Sequence, residues 1–312
     1  MLGPLLAGIL AASSPQQQPT ASDPETPTRL EDIEVTGRRL ETVIRDFVND
    51  VAAPNPGRNL ARWDRGVCIG AANFQAETAQ YLVDRISTVA DDLGLRSGAP
   101  GCKPNVLVIA SSDPNVLASD LIERSPLSFR PGGSGMDRGG SQLRAFRDSD
   151  RPVRWWAVSV PTDSHTGQRA VRLRGECADP CSKVEHYAPQ IEVFAASRLS
   201  TQIVDDLNRV IVIVDVNKID NVSAQQLADY VAMVSLSQIN PTADTSAYAS
   251  ILNVFDEPDY ASSLTEWDQA YLRGLYGSQR TQQLAGANRS EVVATIRRAH
   301  SDLRRQADQT EN

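Results

Sequence analysis

A continuous run of apolar, β-forming residues, NVLVIAS at 105–111, restricts the fold of this chain more than any other segment. Such a run is typical of a strand buried on both faces of a sheet, since a half-solvated strand alternates apolar and polar residues. A strand-like segment at 62–70 and a helical pattern at 74–95 precede the run, and a helical pattern at 115–124 follows it. This order of strands and helices predicts an α/β (α+β) fold.

Other segments extend the same pattern. Helical spacing at 40–50 comes first, and three further strand candidates at 153–161, 189–200 and 209–216 follow later. The pattern at 74–95 predicts the longest helix, whose apolar stripe is ended by Gly94. That stripe consists of Tyr81, Leu82, Ile86, Val89 and Leu93.

The composition fits a globular protein and disfavours nucleic acid as a partner. The 312 residues are 41% hydrophobic, which is enough for a sizeable core. A net charge of -8 and a pI of about 5.0 repel phosphate backbones. Four arginines cluster near the end of the chain, and a solvated helix face explains them. They are Arg297, Arg298, Arg304 and Arg305.

The N-terminal sequence predicts export. LGPLLAGILAA at 2–12 is followed by small residues, as in a signal peptide, here assigned to 1–14, although no Lys or Arg precedes the run. The run is too short to span a bilayer, so we expect no integral membrane segment after its removal and a periplasmic or secreted protein. Residues 15–39 are rich in Pro, Gln, Ser and Thr and predict a flexible linker.

The end of this linker, EDIEVTGRR at 31–39, resembles the segment near the mature start of TonB-dependent outer-membrane receptors. That segment adds a strand to the edge of a partner's sheet, and Ile33 to Gly37 alternates suitably for such pairing. A strand and turn that open the domain are the simpler interpretation.

The four cysteines fit an oxidising compartment. Cys177 and Cys181 flank a tight turn, and Cys68 and Cys102 bracket the long helical segment, so we pair them in this way among three possible pairings. A zinc site built from Cys177, Cys181 and His186 lacks a fourth ligand at standard spacing.

A strong helix signal surrounds QLADYVAMVSLSQ at 226–238. Ser223 is a suitable N-cap, and Gln226 completes a capping box. Leu227, Val231 and Val234 fall on one stripe of this helix.

By its position after the edge strand, this helix resembles the active-site helix of metzincin-like zinc metallopeptidases, His-Glu-x-x-His-x-x-Gly-x-x-His. The resemblance implies that Ala228, Ala232 and Gln238 stand at the three metal ligands, Asp229 at the general base and Ser235 at the glycine. Because no imidazole remains, we expect neither a metal nor any other cofactor.

A second segment, LTEWDQAYLRGLYG at 264–277, resembles the helix that follows the metal loop in that superfamily. Thr265 and Asp268 cap a helix here, and four apolar residues are expected to pack inward: Trp267, Tyr271, Leu272 and Leu275. The resemblance implies a zincin-like domain at 40–277 with a mixed sheet, a long backing helix and a former active-site helix. Residues 278–312 then form a C-terminal helical tail.

Other chemistry finds little support in the sequence. The three histidines, His165, His186 and His300, are isolated, and the glycine-rich segment at 130–140 has Met136 where a nucleophile elbow needs glycine. That segment is therefore interpreted as a mobile surface loop. Acidic groups are interpreted as solvated loop residues. They are Asp205, Asp206, Asp256, Glu257 and Asp259.

Trp155 and Trp156 alternate across one strand, so at most one of them faces the core. The other is expected to be an exposed binding anchor, or to be covered by residues 278–312.

These features predict a non-catalytic exported pseudoenzyme that binds a protein or peptide partner in the cell envelope. The alternatives are a hydrolase with a non-standard site in the same cleft and an envelope adaptor that engages the TonB system through 31–39.

Overall fold

The computed structural model describes residues 39–64, 66–132, 135–171, 191–192 and 199–310. Its four-stranded sheet has the order β1-β2-β4-β3, in which β1, β2 and β4 are parallel and β3 is an antiparallel edge strand. The strands are β1 Ile69–Ala72, β2 Val106–Ser111, β3 Val153–Asp163 and β4 Ile203–Asp215. The mixed α/β fold predicted from the sequence is confirmed.

The strand predictions hold best where the sequence is continuously apolar. NVLVIAS forms β2, whereas only the end of the segment at 62–70 enters β1. β4 begins six residues before the predicted strand at 209–216, because Asp205, Asp206 and Asn208 interrupt its apolar pattern. Most of the predicted strand at 189–200 lies outside the described residues.

Eight α-helices accompany this sheet in the described part of the chain. They are α1 Leu40–Val51, α2 Ala76–Asp92, α3 Pro114–Arg124, α4 Pro126–Phe129, α5 Gly140–Arg147, α6 Ala224–Leu236, α7 Glu266–Gly277 and α8 Ala285–Thr310. The prediction that 74–95 forms the longest helix is wrong, since α8 has 26 residues and α2 has 17. Gly94 ends α2 as expected, with φ at +79°, a conformation that favours glycine.

Apolar residues pack on both faces of the sheet. The larger core lies between one face and the helices α1, α2, α6, α7 and α8. A smaller core on the other face contains Phe129 of α4 and Phe146 of α5. Trp155 belongs to the first core and Trp156 to the second, as strand alternation requires.

The expectation that one tryptophan is exposed is wrong. Trp155 is 5% exposed and Trp156 is 3% exposed, because the second face of the sheet is also covered. Phe146 packs 6.0 Å from Trp156 between ring centroids, and the Trp156 Nε1 donates to Phe129 O at 2.8 Å. The short helices α4 and α5, rather than residues 278–312, cover Trp156.

The C-terminal helix packs on other helices. α8 runs against α7 and α1, and Gly274 of α7 allows a close approach to Ile296 of α8. A Cβ at position 274 would lie 2.5 Å from the Ile296 Cα. The alternative in which this helix lies across the sheet is therefore wrong.

A disulfide joins Cys68 and Cys102, as predicted, with the two Cα atoms 6.1 Å apart. It closes a loop that contains β1 and α2 at the first strand of the sheet. The predicted pair Cys177 and Cys181 and the residue His186 lie outside the described residues.

Candidate functional site

Helix α6, which carries the motif positions, is buried around its whole circumference. Every residue from Gln226 to Leu236 is buried, because α2, α7 and the sheet all contact this helix. Ala228 and Ala232 are both fully buried in the larger core. The two positions that the resemblance assigns to helix ligands therefore face packed side chains, not a cleft.

Asp229 lies in an ion pair inside the protein. Arg85 of α2 binds it at two points, with Nε 2.6 Å from Oδ1 and Nη2 3.0 Å from Oδ2. The Leu264 N–H also donates to Oδ2 at 2.9 Å. The hydrogen bond that Arg85 donates to Asp229 raises the pKa of Arg85, and the carboxylate itself is fully buried. Asp229 thus holds α6, α2 and the start of α7 together.

The remaining two motif positions lie near the end of α6. The Ser235 carbonyl accepts a hydrogen bond from the Trp63 Nε1 at 2.9 Å. The Ser235 hydroxyl donates to Ala232 O at 3.4 Å, within the same helix. The Gln238 Oε1 accepts from the Ala61 N–H at 2.8 Å. Of these positions, Gln238 lines a cavity.

That cavity is a narrow groove beside the edge strand, which we call the edge groove. β3 contributes residues 154–157, the segment after α6 contributes 238–242, and α5 with the loop after it contributes the opposite wall. Ala53 and Asn55, just after α1, also line it. Its internal volume is about 80 Å³, and its walls are mainly apolar.

Two β3 residues that line this groove, Trp155 and Ala157, have backbone groups that are not used in pairing with β4. Along an antiparallel strand, every second residue forms backbone hydrogen bonds with the neighbouring strand. Asp215 N donates to Pro152 O at 2.8 Å, so the next β3 residues that bond to β4 are Arg154 and Trp156. The N–H and C=O of Trp155 and Ala157 point away from β4. None of the described residues donates to or accepts from these outward groups.

Further along β3 the edge is closed by two loops. Ser159 N donates to Met136 O at 3.0 Å, and Ala170 N donates to Pro161 O at 2.8 Å. The segment at 130–140 is therefore not a simple surface loop, since Met136 is buried against β3. The unpaired stretch of the edge is short and coincides with the groove.

The charge of the groove is positive, although the whole chain is negative. Arg138, Arg151 and Arg154 line it, and no Asp or Glu is among its described lining residues. Burial lowers the pKa of Arg138, whose Nη2 contacts the Asn240 Oδ1 at 3.3 Å. Arg151 is exposed at the rim.

Arg154 has a structural role in the same wall. It is 4% exposed, and its Nη1 donates to the carbonyls of Arg147 at 2.7 Å and Phe146 at 3.4 Å. It therefore caps the end of α5. Its Nε has no hydrogen-bond partner among the described residues.

A buried charge cluster lies elsewhere and corrects the interpretation of Asp205 and Asp206 as solvated acids. Both lie in β4 and are less than one-tenth exposed. Arg280 contacts the carboxylate of Asp206, and Arg58 lies 3.7 Å from that of Asp205. Burial raises the pKa of Asp205. No local pattern in the sequence indicates these pairs, because their partners lie 74 to 147 residues away along the chain.

The other acids and the two histidines in the described ranges, His165 and His300, do not converge. Asp256, Glu257 and Asp259 are exposed, as expected. His165 lies in a turn, and the His300 Nε2 lies 3.7 Å from Glu266 of α7. Within the described ranges no three His, Cys, Asp or Glu side chains are grouped so as to hold a metal ion. None of the helices described is long and apolar enough to cross a membrane.

Comparisons of the chain with known protein families, with curated proteins and with solved structures found no match. The site is therefore interpreted from its own geometry.

Proposed function

We propose that this protein binds an extended peptide or protein segment, without catalysis, by strand addition to β3 in the edge groove. The observation that carries the proposal is the unpaired backbone of Trp155 and Ala157 in the part of the chain described. Buried peptide groups without a hydrogen-bond partner are costly, and an added strand supplies both donors and acceptors.

The resemblance to a degenerate zincin-like scaffold agrees with this proposal. Helix α6 follows β4, which is an inner strand and not the edge strand expected from the sequence. β4 pairs with the antiparallel edge strand β3, and the segment after α6 lines the groove. In such a scaffold an extended peptide lies along the edge strand. The alanines at the ligand positions and the ion-paired Asp229 favour binding over metal-dependent hydrolysis.

We further propose that the protein works outside the cytoplasm, with a partner in the cell envelope. The Cys68–Cys102 disulfide supports this part of the proposal, since disulfides persist in oxidising compartments. The apolar run at 2–12 is the second support.

The experiment is a selection of random dodecapeptides on the disulfide-intact protein, followed by affinity measurement with two variants. Ala157→Pro removes an N–H that points away from β4, so we expect the fold to survive while peptide affinity falls at least tenfold. Ala157→Ser keeps the N–H and is the matched control. Equal affinity in the Pro variant, or a selection that yields no peptide, contradicts the proposal.

A further inference from the structure

We propose that the edge groove takes the side chain of an aspartate or glutamate, so that the peptide added to β3 is an acidic one, and that Arg138 selects it. The inference rests on the proposed function, because it assumes a strand paired at Trp155 and Ala157. It adds the chemical class of the ligand and the side chain of this protein that recognises it.

The size of the groove limits what can enter it. Its volume is about 80 Å³, and a single water needs roughly 10–15 Å³ of such space. The groove therefore admits the end of one side chain and is too small for a strand. The backbone of an added peptide runs along the edge of β3, at Trp155 and Ala157, and one of its side chains fills the groove.

Arg154 gives the groove a buried positive charge. Its guanidinium donates only to neutral oxygens among the described residues, namely those of Asn115, Phe146, Arg147 and Ser149. A buried cation without a counter-ion is costly, because its hydration is lost and no opposite charge replaces it. An anion in the groove would stabilise this charge.

The acids nearest to Arg154 do not fill that role by contact. Burial lowers the pKa of Arg154, and these acids raise it only through space: Asp215, Asp150, Asp148 and Asp113. Two of them have other partners, since Asp148 lies 2.7 Å from Arg147 and Asp150 lies 2.5 Å from Lys218. The groove itself has no carboxylate among its described lining residues.

Arg138 supplies the hydrogen-bond donors for an entering carboxylate. It is half-buried, lines the groove, and places its Nη2 3.3 Å from the Asn240 Oδ1. That oxygen also accepts from the Thr242 N–H at 3.3 Å and the Thr242 hydroxyl at 3.1 Å. Arg138 therefore shares a neutral acceptor at a long distance. A carboxylate offers two oxygens that a guanidinium binds more strongly, at about 2.7–2.9 Å, so we expect it to replace this contact.

A nearby arginine on α5 provides a matched control. Arg144 is exposed and does not line the groove. Arg138→Gln and Arg144→Gln each remove one positive charge from neighbouring positions of the chain. A general electrostatic attraction would weaken in both variants alike, whereas a direct ion pair is lost only with Arg138.

A selection of random dodecapeptides on the full, disulfide-intact chain tests the inference. We expect the selected sequences to share an Asp or Glu at one fixed position. In the tightest-binding peptide, replacing that acid by its amide should weaken binding to the natural chain and to the Arg144→Gln chain roughly tenfold or more. The same replacement should change binding to the Arg138→Gln chain by less than about twofold. Added salt should reduce the effect of the replacement in the natural chain.

Three outcomes overturn the inference. Selected peptides that share no acid, yet lose affinity in Ala157→Pro, mean that the proposed function stands and the groove has no acidic preference. An acid whose replacement weakens binding as much in the Arg138→Gln chain as in the natural chain contacts another part of the surface. A selection that yields no peptide contradicts the proposed function itself, and the inference fails with it.

Discussion

Arg85 and Asp229 form a two-point ion pair that ties α2 to α6, with nitrogen–oxygen distances of 2.6 and 3.0 Å. In the metzincin-like resemblance Asp229 stands at the general base. Here both of its oxygens are already bound, one of them also by the Leu264 N–H. A carboxylate in this position stabilises the fold and has no free lone pair directed at a substrate cleft.

We expect Arg85→Leu to lower the free energy of unfolding by about 3–5 kcal/mol, because it leaves the Asp229 carboxylate buried without its cation. Urea denaturation measures this change. The double variant Arg85→Leu, Asp229→Leu should lose less unfolding free energy than Arg85→Leu alone, since no unpaired charge remains. A double variant that costs the sum of the two single variants would argue against direct coupling.

Asp268 makes the stability depend on pH. Burial raises its pKa to about 6, although Ser250, Ile251 and Thr265 donate hydrogen bonds to it. Its folded pKa lies above the unfolded value of about 3.9, so the folded state holds the proton more tightly. The contribution of Asp268 to the free energy of unfolding is therefore greatest below pH 4 and is lost as the pH rises through 6.

The loss amounts to roughly 3 kcal/mol, as expected from a shift of about two pKa units. Asp268→Asn should remove the pH-dependent contribution of this carboxyl group. The difference in unfolding free energy between the natural chain and the variant should therefore change between pH 4 and pH 7. Urea denaturation across that range checks it. A difference that stays constant with pH contradicts the assignment.

Arg280 anchors the buried charge cluster. It contacts Asp206, and its Nη1 lies 3.4 Å from the Asp64 carboxylate. We expect Arg280→Ala to lower the free energy of unfolding by about 3–5 kcal/mol, because it leaves the buried Asp206 carboxylate without the cation that contacts it. Lys218→Ala removes an ion pair to a fully exposed carboxylate, Asp150, and is the control. Equal effects of the two variants on the urea midpoint would contradict the role given to the cluster.

The contact between α7 and α8 depends on Gly274. We expect Gly274→Ala to lower the unfolding free energy by about 1–3 kcal/mol, because the new methyl group overlaps the Ile296 backbone. Gly286→Ala near the start of α8 meets no atom within 4 Å and should be neutral or stabilising. Thermal unfolding of both variants measures the difference between them. A Gly274→Ala variant as stable as the natural chain would contradict the prediction.

Local signals in the sequence predicted where α6 and α7 begin. Both capping boxes, at Ser223 with Gln226 and at Thr265 with Asp268, form as their spacing indicates. Each depends on contacts within four residues, which sequence reasoning can follow. The apolar run at 105–111 likewise depends only on its own composition.

The candidate site could not be predicted in the same way. The groove joins the end of α1, α5, β3 and the segment after α6, which are distant in sequence. The burial of both Trp155 and Trp156 depends on α4 and α5, which cover a face that strand alternation alone leaves open. The pairing of Asp229 with Arg85 spans 144 residues and leaves no local pattern.

The central claim is that a peptide pairs with β3 at Trp155 and Ala157. Nuclear magnetic resonance of the labelled protein with a selected dodecapeptide tests it most directly, through the backbone amides of the described residues. We predict that the Trp155 and Ala157 amides shift and become protected from exchange, with contacts between peptide and β3 protons across the strands. Shifts confined to other surfaces, such as the region around Asp206, would contradict the account.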